Sequence, residues 1–175
     1  MKDYDFTLSF ALPTDRDDPE QYVESLGDAG CTDALLGIGC RGQIGLMFIR
    51  EAATAEEAVL SAIRDVMGAI QGARLVEATP DLVGLSDVAE LLGVSRQNVR
   101  KLVVDSEQGE PPAVHKGNPT LWHLADVLRW LRVEKGYRVD DRLMAIAEVT
   151  RQVNLAVGSR AADRDAQKQI LALLA

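Results

Sequence analysis

From Tyr4 to Leu12 apolar side chains occupy every second position. Tyr4, Phe6, Leu8, Phe10 and Leu12 alternate with Asp5, Thr7, Ser9 and Ala11, which is the period of a half-buried strand. Pro13 and the charged loop after it end the run. Pro19 suits the first turn of a helix with Asp18 as its cap, and Tyr22, Val23, Leu26 and Ala29 supply an apolar stripe that Gly30 closes. Two short apolar runs, Ala34–Gly39 and Gln43–Arg50, predict strands joined by a hairpin turn at residues 40–42. Thr54 with Glu57 three positions on forms a capping box. Behind it Ala55, Ala58, Val59, Ala62, Ile63, Val66, Met67 and Ile70 recur at steps of three and four, the strongest amphipathic pattern in the chain.

Ala73–Ala78 adds a last short strand before Thr79-Pro80. The order β-α-β-β-α-β over residues 1–80 predicts a ferredoxin-like α+β domain, a four-stranded antiparallel sheet with both helices on one face. Its glycine-rich stretch at 37–42 lies between strands with no helix start and no lysine after it, so a turn fits better than a phosphate loop. The acidic cluster Asp15, Asp17, Asp18 and Glu20 has no calcium-loop spacing and reads as solvated surface.

The pattern changes character at Ser86–Val103, SDVAELLGVSRQNVRKLV. Ser86 is placed as the cap of a helix whose Val88, Ala89, Leu91 and Leu92 face inward. Gly93 is placed as its left-handed terminator and Val94 as the plug of the turn. Ser95 then caps a second helix buried through Val99, Leu102 and Val103. That arrangement leaves Arg96, Gln97, Arg100 and Lys101 outward with Asn98 on the flank, a helix-turn-helix by spacing and by facing. Arginine pairs bidentately with guanine, and glutamine or asparagine with adenine, while a serine hydroxyl and the backbone amides of a helix start hold phosphate. After a loop, Glu110–Trp122 predicts a strand, a Lys-Gly-Asn turn and a second strand. His123–Leu131 then predicts a helix with Leu124, Val127, Leu128 and Leu131 inward. Trp122 and Trp130 are expected as core pegs, and His123 as a structural residue.

These motifs together, the helix pair, the short wing after prolines and the closing "W…DVLRWL" helix, resemble the winged helix-turn-helix of the MerR-like superfamily, especially excisionase and AlpA-type regulators. The resemblance covers about residues 82–135. It implies double-stranded DNA as the partner, with Ser95–Lys101 in the major groove and the wing residues His115, Lys116 and Asn118 on the backbone or minor groove. The chain departs from the family in two respects: its wing has Lys116 as its one certain cation, and Asp105, Glu107 and Glu110 follow the second helix.

Charge sharpens the division of the chain. Of its 175 residues, 1–83 carry 6 basic and 15 acidic side chains, while 84–138 carry 8 and 7, and 139–175 carry 5 of each. The net charge of −8 therefore belongs to the N-terminal part, and the helix-turn-helix segment is slightly basic. Cys31 and Cys40 form no CxxC and suggest reduced thiols in a cytoplasmic protein. No apolar run reaches the roughly 20 residues that span a bilayer, and no signal-peptide pattern opens the chain. No nucleophile–base pair, metal-ligand spacing or cofactor motif is found, so the chain is read as non-enzymatic and without a cofactor. The apolar positions of 139–175 predict two helices, broken at Gly158-Ser159, that pack on the winged domain or, as favoured, pair across a two-fold axis. The expected protein is a dimeric transcriptional regulator of 1–80 ferredoxin-like, 82–138 winged helix-turn-helix and 139–175 helical tail. The alternative is an antitoxin-like or protein-interaction module whose acidic N-terminal domain binds a partner protein or a small ligand.

Overall fold

The computed structural model describes residues 1–105 and 109–174, so Glu107 lies outside the described residues. Among those described, seven α-helices and two small antiparallel sheets make an α+β fold. The first sheet contains β1 (Lys2–Ala11), β2 (Ala34–Gly37), β3 (Gln43–Ala52) and β4 (Arg74–Thr79) in the order β2-β3-β1-β4, all neighbours antiparallel. The alternation of β1 puts Tyr4, Phe6, Leu8 and Phe10 on one face. There they meet Ile44, Leu46 and Phe48 of β3, and Phe6 stacks on Phe48 at 5.3 Å between centroids. Helices α1 (Val23–Asp28) and α2 (Ala55–Ala69) cover that face through Leu26 and through Ala58, Val59, Ala62 and Val66.

The local signals that define these elements operate as chemistry requires. The Asp18 carboxylate accepts from Glu20 N at 3.2 Å and starts a 3-10 turn, Pro19–Tyr22, ahead of α1. Val23, expected in the buried stripe, is exposed at the start of α1, while Leu26 of the same stripe is buried. Thr54 Oγ1 accepts from Glu57 N, and the Glu57 carboxylate accepts from Ala53 N, one residue before the cap. The β2–β3 connection is a five-residue loop, 38–42, rather than the tight turn expected at 40–42. Gly42, at φ +74°, sits so close to the Asp15 backbone that a Cβ has no room. Its carbonyl accepts from Leu12 N and its own N–H reaches Asp17 O. The acids of that loop serve it locally, Asp17 accepting from the Thr14 amide and hydroxyl and from the Tyr22 hydroxyl.

The second unit holds β5 (Leu82–Val83), β6 (Ala113–His115) and β7 (Leu121–His123) as a sheet of order β5-β7-β6, with helices α3 (Leu85–Leu92), α4 (Arg96–Val99) and α5 (Leu124–Glu134). Trp122, Leu124, Leu128 and Leu131 are its largest fully buried side chains, joined by Val88, Val99, Val103 and Val127. Strand β5 was not anticipated: two residues are too few to show a period. The last helix of this unit begins at Leu124, one residue later than expected, because His123 still belongs to β7.

Helix α6 (Asp141–Ser159) joins the two cores. Ile146, Ala145, Val149 and Val153 pack into the first, and Met144, Ala147 and Leu143 into the second. Helix α6 therefore packs on both units of its own chain, the second of them being the alternative cover expected for the tail. It ends at Ser159, within the expected break at Gly158-Ser159, and the next helix starts at Arg164. A polar clasp fixes the junction. Asn154 accepts from Ala78 N and donates to Ala78 O and to Asp81 Oδ2, each at 2.8 Å, while Thr150 Oγ1 donates to Pro80 O. Asp81, 2% exposed, also lies 2.6 Å from His123 Nδ1, and its carbonyl accepts from Leu124 N. Helix α7 (Arg164–Leu174) has no buried residue. Among the described residues no helix is long and apolar enough to cross a membrane.

Candidate nucleic-acid interface

Helix α3 is short and amphipathic, with Val88 and Ala89 buried. Its cap is Gly84 rather than Ser86, because the Asp87 carboxylate accepts from Gly84 N at 2.7 Å and so sets the first turn two residues earlier. Leu91, expected inward with Val88 and Leu92, is exposed. Gly93 ends the helix at φ +65°, and Val94 N donates back to Ala89 O at 2.9 Å, the closure a left-handed terminator allows. Ser95 Oγ then accepts from Asn98 N at 3.2 Å and starts α4.

Val99 and Val103 are buried on the inner side of this second helix, and Ser95, Arg96, Gln97, Asn98, Arg100 and Lys101 are all exposed on the outer side. After Val99 the helix widens into a π turn, Arg100–Val104, closed by Asp105 N donating to Arg100 O. Five-residue hydrogen-bonded turns of this kind concentrate at functional positions. Nothing in the residue pattern announced it, since the apolar spacing Val99-Leu102-Val103 is compatible with either winding.

The β6–β7 hairpin stands beside this helix. Arg96, Arg100 and Val104 form one side of a groove of about 230 Å³. Gly117, Asn118, Pro119 and Thr120 of the hairpin tip form the other, with Leu85 and Trp122 also contributing. The fold thus brings Arg96, Arg100 and Asn118 to one cleft, while His115 and Lys116 lie on the hairpin outside it. Thr120 Oγ1 donates to Gly117 O and closes the tip, and the His115 ring lies over Gly117 so closely that a side chain there would collide with it. Thr120 and Leu85 are contributors that sequence reasoning passed over; both flank motif residues but lack charge. Trp122 is 1% exposed, as expected of a core peg, and its Nε1 has no partner among the described residues. Trp130 is only half-buried, under Lys135 Nζ at 5.2 Å from its ring centroid.

The acids near this surface act on it directly. Asp105 Oδ2 lies 3.6 Å from Arg100 Nε, and Glu110 Oε1 lies 3.4 Å from Lys116 Nζ. All four side chains are more than a third exposed, so each pair is worth at most about 1 kcal/mol and yields readily to a stronger anion. A phosphate diester is one anion that can compete, since it accepts from guanidinium in a bidentate fork.

The two cysteines lie in the first unit, Cys31 buried and Cys40 exposed. No family model, no curated protein and no solved structure matches this chain.

Proposed function

We propose that this chain is a sequence-specific double-stranded DNA-binding protein, a dimeric bacterial or phage-type transcriptional regulator acting in the cytoplasm. In this reading a ferredoxin-like unit precedes a winged helix-turn-helix of the MerR-like, excisionase type. The observation that carries it is the shared groove: a helix exposing Arg96, Gln97, Asn98, Arg100 and Lys101 lies beside a hairpin tip, with Arg96, Arg100 and Asn118 opening into one cleft. Arg96, Gln97, Asn98 and Arg100 read base edges, Ser95 and Lys101 hold phosphates at the groove wall, and Lys116 and His115 bind the backbone from the wing.

Selection of bound duplexes from a random pool, followed by footprinting upstream of the chain's own gene, tests this reading. The expected result is one enriched inverted repeat with half-sites a helical turn, or a multiple of it, apart. Failure to enrich any sequence contradicts it.

A second reading is favoured by a separate observation. The face of the first sheet opposite α1 and α2 is uncovered, with Leu35 71%, Met47 54% and Ile49 59% exposed, and it carries the acidic Asp5 beside Ile49 in the strand register. A basic, amphipathic protein partner suits that face, as an antitoxin-like module requires. Under this reading Met47→Lys abolishes capture of the partner and leaves DNA binding intact.

A further inference from the structure

Helix α7 leaves a large apolar surface in water. Leu173 is 86% and Leu174 78% exposed, and Ile170 and Leu171 are more than half exposed. At about 100° per residue, Leu173, Ala166, Ile170, Leu174 and Leu171 fall in one sector interrupted by Gln167 alone, and Arg164 and Lys168 line its edge beside Leu171. An apolar sector with a cationic border is the form of a helix that docks into a groove with an acidic border.

The same chain carries such a groove. Leu60 of α2 and Val149, Val153 and Ala156 of α6 form its floor, and Glu56 and Glu148 stand at its rim. Its extent along α6, from Glu148 to Ala156, is about 12 Å, and α7 is about 16 Å long. Polarity and charge match between helix and groove, with Glu148 also pairing with Arg129 at 3.1 Å, and α7 is long enough to span the groove.

The connection decides which copy fills it. Arg160 N, Ala161 N and Ala162 N donate to Val157 O, Gly158 O and Ser159 O, so residues 160–162 wind onward in the helical sense. No residue between Ser159 and Arg164 has the positive φ that reverses a chain at a helix end. Asp163 then caps α7, accepting from Asp165 N and Ala166 N. In the structure α7 is not seated in its own groove, since none of its residues is buried. We propose that α7 of each copy docks into the α2–α6 groove of a second copy, giving a two-fold symmetric dimer closed by two identical helix-in-groove contacts. The proposal does not depend on DNA binding, and the dimer is measured without DNA.

Sedimentation velocity on the full chain at micromolar concentration is expected to give a dimer. Ile170→Glu/Leu173→Glu, and separately Leu60→Glu, should each give monomer, with circular dichroism unchanged. Mixing the two monomeric variants restores a dimer, because one intact helix and one intact groove then meet across the pair. Docking of α7 within its own chain gives no such restoration and overturns the proposal. A milder pair guards against misfolding: Lys168→Glu should weaken the dimer at least several-fold, and adding Glu56→Lys should recover it. A monomeric full chain, or a dimer indifferent to all these changes, contradicts the assignment.

Discussion

Arg50 occupies a position of β3 where the alternation calls for another apolar residue, and the protein resolves the conflict by surrounding it. Its guanidinium donates through Nε and Nη2 to the two oxygens of Asp33 at 2.7 and 3.0 Å, and through Nη1 to Asp65 at 2.6 Å and Ser61 at 3.1 Å. It also stacks over Phe48 at 4.9 Å. The hydrogen bonds to Asp33 first, and then those to Asp65, hold its pKa above the ordinary arginine value. Both acids keep partial contact with water, so Arg50→Ala should cost on the order of 2–4 kcal/mol in urea unfolding, at the lower end of the loss for a broken buried pair. A loss below about 0.5 kcal/mol contradicts the network. Cys31 lies near this cluster, and burial, with the negative charge of Asp65 in the same direction, pushes its thiol pKa up. Titration with an aromatic disulfide should therefore modify Cys40 at once and Cys31 only on unfolding. Arg50 was legible in principle: its parity with Ile44, Leu46 and Phe48 marks it as inward. Its partners were not, since Asp33 and Asp65 lie far apart in sequence and look like ordinary surface acids.

Among the elements, α6 shows how far local pattern reaches. The apolar spacing of Leu143, Ile146, Ala147, Val149 and Val153 declares a helix, but not that its two sides face two different cores. The polar residues that seat it, Thr150 and Asn154, bond to backbone some seventy residues upstream, which no periodicity conveys. Asn154 supplies one donor and one acceptor to Ala78, on the free edge of β4, and so completes that residue's pairing as a neighbouring strand would. Asn154→Ala should cost about 2 kcal/mol and speed hydrogen exchange at Ala78. Exchange at an unchanged rate contradicts the edge-capping role. At the start of α6, Asp140 accepts from Arg142 N at 2.8 Å and lies 3.2 Å from the Arg142 guanidinium. The backbone bond first, and then the side-chain bond, lower its pKa. A carboxyl with a depressed folded-state pKa stabilises fully above its unfolded value of about 3.9 and loses that contribution as pH falls through the folded value. Asp140→Ala should therefore cost about 1 kcal/mol near neutral pH, and the gap to the unaltered chain should close in acid. The helix pair α3–α4 was the most legible element, because glycine and serine mark its turn chemically. Its π turn and the exact start of α3 were not, being set by the Asp87 side chain and by packing.

For the molecule as a whole, charge opposes the proposed function. The first unit is strongly acidic, and Asp105 and Glu110 hold Arg100 and Lys116, so one copy should bind DNA weakly. Two copies joined through α7 present two recognition helices, and the second engagement benefits from a raised effective concentration. Removing the restraint at its source should strengthen binding: Asp105→Asn is expected to raise affinity several-fold, most at low salt, where a lost phosphate repulsion counts most. Composition and pattern carry the shift in charge along the chain; the junction through Asp81, His123 and α6 is set by contacts distant in sequence, which they do not carry.

The most direct measurement is fluorescence anisotropy of the full chain on its selected duplex and on a scrambled one, across a salt series, with Arg96→Ala, Arg100→Ala and Lys116→Ala alongside. The two arginine variants should lose about 1–3 kcal/mol on the selected duplex and much less on the scrambled one. Lys116→Ala should lose affinity equally on both and flatten the salt dependence by about one unit of slope. If neither arginine variant changes binding to either duplex, the outer face of α4 is not a DNA-reading surface and the account is wrong.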